Sequence, residues 1–127
     1  MNFARRLFLI AGIYGLVVLV PQYFLEAKTG NDYPPAITHP EYYYGFVGVG
    51  VAWQVLFLVI SRDPMRYRAA MIPGILEKLL WGIAVVWLYL QHRASSLLLG
   101  FGSIDLLLGA LFVFAYMKTP AQSRNRW

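Results

Sequence analysis

Four apolar runs, each close to twenty residues long and joined by short links, constrain this chain more than any other feature. They lie at residues 5–25, 42–61, 69–90 and 96–117. A helix crosses a hydrocarbon core of about 30 Å in roughly 20 residues, so each run has the length of one membrane span. One such run could be a buried helix, but four in succession are a membrane protein. The composition agrees. Of 127 residues, 59% are hydrophobic and 13% charged, which leaves too little polar surface for a soluble domain of this size. The expected fold class is all-α, an integral membrane four-helix bundle forming a single transmembrane domain. Short links make successive helices antiparallel. Residues 26–41 are the one substantial loop, long enough to fold over the mouth of the bundle. The chain shows no internal repeat, and so lacks the inverted-repeat signature of many transporters.

The basic residues set a direction. Arg5 and Arg6 precede the first run, Arg62, Arg66 and Arg68 follow the second, and Lys118, Arg124 and Arg126 follow the fourth. The other two links hold Lys28 and Arg93, with Glu26, Asp32 and Glu41 in or beside the first of them. The positive-inside rule then predicts an N-in/C-in topology with both termini cytoplasmic. The net charge of +5 is accounted for by topology signals and contacts with anionic headgroups, so no nucleic-acid partner is expected. With no cysteine, disulfides, thiol nucleophiles and thiolate metal sites are excluded.

The first run also has the layout of a secretory signal, with Leu25-Glu26-Ala27 as a cleavage site. Pro21-Gln22-Tyr23-Phe24 reads instead as an interfacial aromatic anchor, which favours a retained span. Further on, Thr38 is the expected N-cap of the second helix, with Glu41 at the capping-box position. Asp63-Pro64 marks the inner turn, and Ser95 or Ser96 caps the fourth helix. Pro73-Gly74 predicts a bend one turn before Glu77. Gly45, Gly48, Gly50, Gly100, Gly102 and Gly109 mark places for close helix packing. Tyr42, Tyr43, Tyr44, Trp87 and Tyr89 stand where an aromatic belt belongs. The tail 122–127 is expected to fray, with Trp127 near the headgroups.

Two carboxylates, Glu77 and Asp105, stand near the middle of the third and fourth runs, where a charge costs at least about 2.5 kcal/mol. At about 1.5 Å of rise per residue, Tyr14, Gln54, Glu77 and Asp105 reach nearly the same depth, one from each helix. Helical phase places Gly102, Asp105, Gly109, Phe112 and Tyr116 on one stripe, and Gly74, Glu77, Trp81, Ala84 and Leu88 on another. Lys78 lies about 100° round from Glu77, able to reach Asp105 or to snorkel to the headgroups. One reading of this layer is a closed network that fixes helix register. The other is a polar-bottomed cavity lined by Tyr14, Trp53, Gln54, Glu77, Lys78, Trp81, Asp105 and Phe112, with Trp87 as a further wall. Such a cavity suits an amphiphile with a polar or cationic group.

The function these residues favour is that of a small accessory or lipid- and amphiphile-binding membrane protein. An enzyme is the alternative, with Glu77 and Asp105 as candidate catalytic carboxyls moving protons on an isoprenoid or sterol-like substrate. A third is an oligomeric proton-coupled transporter. The expected partners are membrane lipids, a hydrophobic or cationic amphiphile, and further copies or a larger membrane complex. No cofactor is expected. His39 and His92 share the outer edge with Glu41 and Asp32, but two histidines without an HxxxH spacing are weak grounds for a metal site. No phosphate loop, nucleophile elbow or zinc-helix motif is present.

Ala52-Trp53-Gln54, Arg62-Asp63-Pro64, Arg66-Tyr67-Arg68 and Ile75-Leu76-Glu77-Lys78 together resemble a family of uncharacterised small bacterial four-span membrane proteins. That resemblance implies a bacterial inner membrane location and brings no activity with it. The four-span layout with a proline-rich first loop and intramembrane acids is also similar to the emopamil-binding-protein and sigma-2-receptor family. Its members bind sterols or cationic amphiphiles, and some are sterol isomerases. DoxX-like proteins are similar in size and span number. No catalytic residue is carried over from any of the three.

Overall fold

The structure is a computed structural model and describes residues 2–121. The expectations for Arg124, Arg126 and Trp127 fall outside the described residues. Five α-helices and no strand occur among them: α1 (Asn2–Leu19), α2 (Glu26–Asp32), α3 (Pro40–Arg62), α4 (Met71–Leu90) and α5 (Ser96–Lys118). Short 3-10 segments, Val20–Phe24 and Arg68–Ala70, extend α1 and precede α4. With these extensions, Asn2–Phe24, Pro40–Arg62, Arg68–Leu90 and Ser96–Lys118 are each long and apolar enough to cross a membrane. Their outward side chains are largely hydrophobic, among them Ile10, Val17, Leu80, Trp87 and Leu107. A surface of that kind suits lipid rather than water, and the chain has the character of an integral membrane protein.

Helix ends follow local chemistry. Pro40 opens α3 at its first position, where the missing N–H costs nothing. His39, not Thr38, is the N-cap, and its side chain makes no capping bond. The proline itself fixes the start of the helix. Ser95 does cap α5, its hydroxyl accepting from the Leu98 amide at 3.2 Å. Asp63 ends α3 and its carboxylate accepts from the Arg66 amide at 3.3 Å, which holds the turn expected there. At the end of α4, His92 adopts a positive φ of 60°. The Arg93 amide bonds back to Leu88 and the His92 amide to Tyr89, a left-handed helix stop in which glycine is commoner. Pro73 falls in the first turn of α4, where no helical hydrogen bond is lost.

The four long helices pack as two hairpins. α1 lies along α3, α4 lies along α5, and α1 also touches α5, whereas α3 and α4 barely meet. Glycines set both hairpin seams. A Cβ on Gly82 would sit 2.9 Å from the Gly102 carbonyl, and one on Gly102 would sit 2.9 Å from Val85. Gly12 and Gly15 do the same for α1 against Leu58 and Gln54 of α3. Gly45 and Gly100, in contrast, face open space.

The hairpins join at one end. Phe8, Phe57 and Phe112 are fully buried there, with ring centroids 4.2 Å apart for Phe8–Phe112 and 5.0 Å for Phe57–Phe112. Ala4, Ala11, Ile60, Met71 and Ala115 fill in around them. The basic residues gather at this same end. Arg5 donates to the Arg62 carbonyl at 2.8 Å. Arg68 donates to the carbonyls of Tyr116 and Thr119 at 3.2 and 2.7 Å and lies 3.8 Å over the Tyr116 ring. The guanidinium thus caps the carboxyl end of α5.

Candidate functional site

Away from the aromatic cluster, the two hairpins enclose a cavity of about 540 Å³. All four long helices contribute to it, and Thr29, Tyr33 and Pro34 of the first loop lie over its mouth. Of the loop 26–41, Thr29, Tyr33 and Pro34 line this cavity, while Glu26, Ala27, Gly30, Asn31, Ala36 and Ile37 line a separate hollow with Tyr23, Phe24 and Tyr44, and the loop carries an unexpected short helix. Glu26 in the first turn of α2 and the Lys28–Asp32 ion pair at 2.9 Å favour that helix. Arg93 and Ser95 of the second link complete the rim.

The bottom of the cavity is polar. Tyr14, Gln54, Glu77, Lys78 and Asp105 line it together, so the depth-matched layer read from the sequence converges on one space. Lys78 is its centre. Its side chain is only 3% exposed, and Nζ stands 3.6 Å from Glu77 Oε1 and 3.5 Å from Asp105 Oδ1. The ammonium also lies 5.2 Å from the centroid of Phe57, the upper ring of the aromatic cluster. These ion-pair distances exceed the roughly 2.7–2.9 Å of a closed charge-assisted hydrogen bond.

One acceptor in this layer has no donor among the described residues. Gln54 is 2% exposed, and its Nε2 donates to the Gly50 carbonyl at 2.9 Å. Its Oε1, packed against Gly15, is buried without a hydrogen-bond partner among the described residues, whereas buried Glu77 Oε1 has only the Lys78 ammonium at 3.6 Å. A buried acceptor left unpaired costs about 1–3 kcal/mol. Charge is unbalanced too. Two carboxylates share one ammonium, leaving one negative charge over when all three are ionised.

The remaining sequence candidates divide. Trp81 lines the cavity. Phe112 points inward as its stripe predicts, yet sits below the polar layer in the aromatic cluster. Trp53 packs against that cluster, 6.5 Å from Phe57. Neither is among the cavity walls. Trp87 is largely exposed on the outer surface. His39 lies 3.6 Å from Glu41 and stacks on Tyr42; no group of three or more His, Cys, Asp or Glu side chains gathers among the described residues.

Several walls escaped the sequence reading. Tyr43, Phe46, Val47 and Gly50 extend the wall that holds Gln54, and Leu98 and Phe101 extend the one that holds Asp105. Both sets carry the three- and four-residue spacing of a helix face, a signal that could have been followed outward from Gln54 and Asp105. The inward stripe of α4 is Met71, Gly74, Lys78, Gly82 and Val85, one position on from the stripe centred on Glu77. The Gly82–Gly102 contact fixes that phase and carries Lys78 to the interior. No family model, curated protein or solved structure matches the chain.

Proposed function

We propose that the protein is a four-helix integral membrane bundle that binds an amphiphile, with the ligand's polar head in the layer formed by Tyr14, Gln54, Glu77, Lys78 and Asp105. The observation that carries this reading is a cavity with largely apolar walls over a buried polar layer in which Gln54 Oε1 has no hydrogen-bond partner among the described residues and two carboxyls share one ammonium. A head group that donates hydrogen bonds and carries positive charge answers both deficits at once. A cavity of about 540 Å³ lies within the roughly 300–1,000 Å³ range of small-ligand pockets. Its occupant is therefore a single-chain or fused-ring amphiphile.

The alternation of basic and acidic links supports an N-in/C-in orientation in a bacterial inner membrane. The cavity mouth then faces outward. The aromatic cluster packs at the opposite end. Catalysis keeps one supporting observation: Glu77 and Asp105 face a single cavity able to hold a ring system. Proton transfer to and from an isoprenoid-like substrate is the second reading on that ground.

The test uses the protein in maltoside micelles with dodecylamine, dodecanol and dodecanoate as probes. Dodecylamine is expected to bind about tenfold or more tightly than dodecanoate, a difference of about 1.4 kcal/mol. Glu77→Gln and Asp105→Asn are each expected to abolish most of that preference while membrane insertion is kept. Equal affinity for all three probes would refute the reading. Native mass spectrometry of gently extracted protein would show whether a lipid, a partner subunit or a second copy travels with it.

A further inference from the structure

The way into this cavity is a separate question from what it holds. Its loop-end mouth is rimmed by polar groups, with Thr29, Tyr33, Arg93 and Ser95 folded over it. An apolar chain passing there would cross a rim that carries the Arg93 guanidinium and the Ser95 hydroxyl that caps α5. The side between the hairpins is different. α3 and α4 barely meet, and where they do, Phe57 lies against Gly74 near the basic end. The loop-end half of α4 supplies no wall residue; its contributions stop at Trp81. A ring pair spans the α3–α4 seam at cavity level. Phe46 and Trp81 stack with centroids 6.3 Å apart and planes 28° apart. Both line the cavity, and Phe46 is also 51% exposed on the outer, lipid-suited surface.

We infer that the ligand enters from the bilayer sideways, through the α3–α4 seam, with Phe46 and Trp81 as the rings that part to admit it. This inference rests on the amphiphile-binding reading and specifies its source: a molecule already dissolved in the membrane, not a solute delivered from water. The two rings of the seam are apolar, so a hydrocarbon chain passing between them meets no charged group of the pair. Its head group then slides down to the polar layer. A stacked pair contributes about 0.5–1.5 kcal/mol beyond its buried area, small enough to open and close rapidly in the native state.

The absence of cysteine makes a clean test possible. Phe46→Cys and Tyr33→Cys each place a single thiol, one at the seam and one at the mouth. Each is labelled with a bulky methanethiosulfonate that reducing agent removes. Protein in nanodiscs then takes up radiolabelled dodecylamine donated from vesicles, and association and release rates are measured together. The label at position 46 is expected to slow both rates about tenfold, as a barrier raised by about 1.4 kcal/mol does, with reversal on reduction. The label at position 33 is expected to slow association much less than the label at position 46. A portal residue shifts both rates in parallel, whereas a mere wall residue shifts release alone. The inference falls if the label at 33 slows uptake and the label at 46 does not, or if position 46 alters release only. If the unmodified protein takes up no dodecylamine, the binding reading itself falls.

Discussion

Removing Lys78 tests whether the polar layer is held by charge. Lys78→Met keeps the length and most of the apolar stem but leaves Glu77 and Asp105 facing one another without their shared cation. At 3.5 and 3.6 Å, and an effective dielectric of about 20, each attraction is about 4.7 kcal/mol before desolvation is counted. Desolvation offsets much of this, so the net value of the triad relative to an apolar one is small. Taking away one partner of a buried ion pair is another matter, and costs about 3–5 kcal/mol. For a chain of this length that loss lowers Tm by about 10–20 °C. The triple variant Lys78→Met, Glu77→Gln, Asp105→Asn removes every charge and is expected to recover to within about 1 kcal/mol of the parent. Thermal unfolding in micelles, followed by near-ultraviolet circular dichroism, reads all the variants. The reasoning is refuted if Lys78→Met is as stable as the parent. It is equally refuted if the triple variant is as unstable as the single one, since the loss would then come from packing around the lysine stem.

Gly102→Ala is expected to cost about 1–3 kcal/mol by overpacking, because its Cβ would meet Val85 at 2.9 Å. Gly100→Ala, on the same helix with open space around it, should change stability by less than about 0.5 kcal/mol; SDS titration compares the two. Arg68→Gln removes the donor to Tyr116 and Thr119, and the last turn of α5 should then exchange its amide hydrogens faster while α1 is unaffected. Ser95→Ala deletes the cap on Leu98 and should cost about 1 kcal/mol, measurable in the same titration.

The spans were legible because length and hydropathy are one-dimensional properties: each predicted boundary lies within a few residues of the helix found. The polar layer was legible for a related reason, since helix rise converts sequence position into depth without any knowledge of packing. Rotation about the helix axis was harder. Glu77 and Lys78 differ by about 100° of turn, and only the contact of Gly82 with Gly102 decides which of them is central. Phe112 shows the opposite case, with its inward face read correctly and its level missed. It stands two turns along α5 from Asp105, among rings contributed by α1 and α3, and no pattern within α5 records that. The helix at Glu26–Asp32 was masked by Gly30-Asn31-Asp32, a string typical of turns, and a local ion pair outweighs it.

The joining of the two hairpins at one end turns the molecule into a pair of levers with a fixed fulcrum. The aromatic cluster is the fulcrum, and the mouth lies roughly 20 Å along the helices from it, about thirteen residues of rise. A rotation of about 10° between the hairpins would move the tips apart by about 3.5 Å over that length. Beside the fulcrum the same rotation displaces Lys78 and its two carboxylates much less. The width of the mouth and the geometry of the ion triad are therefore mechanically separate.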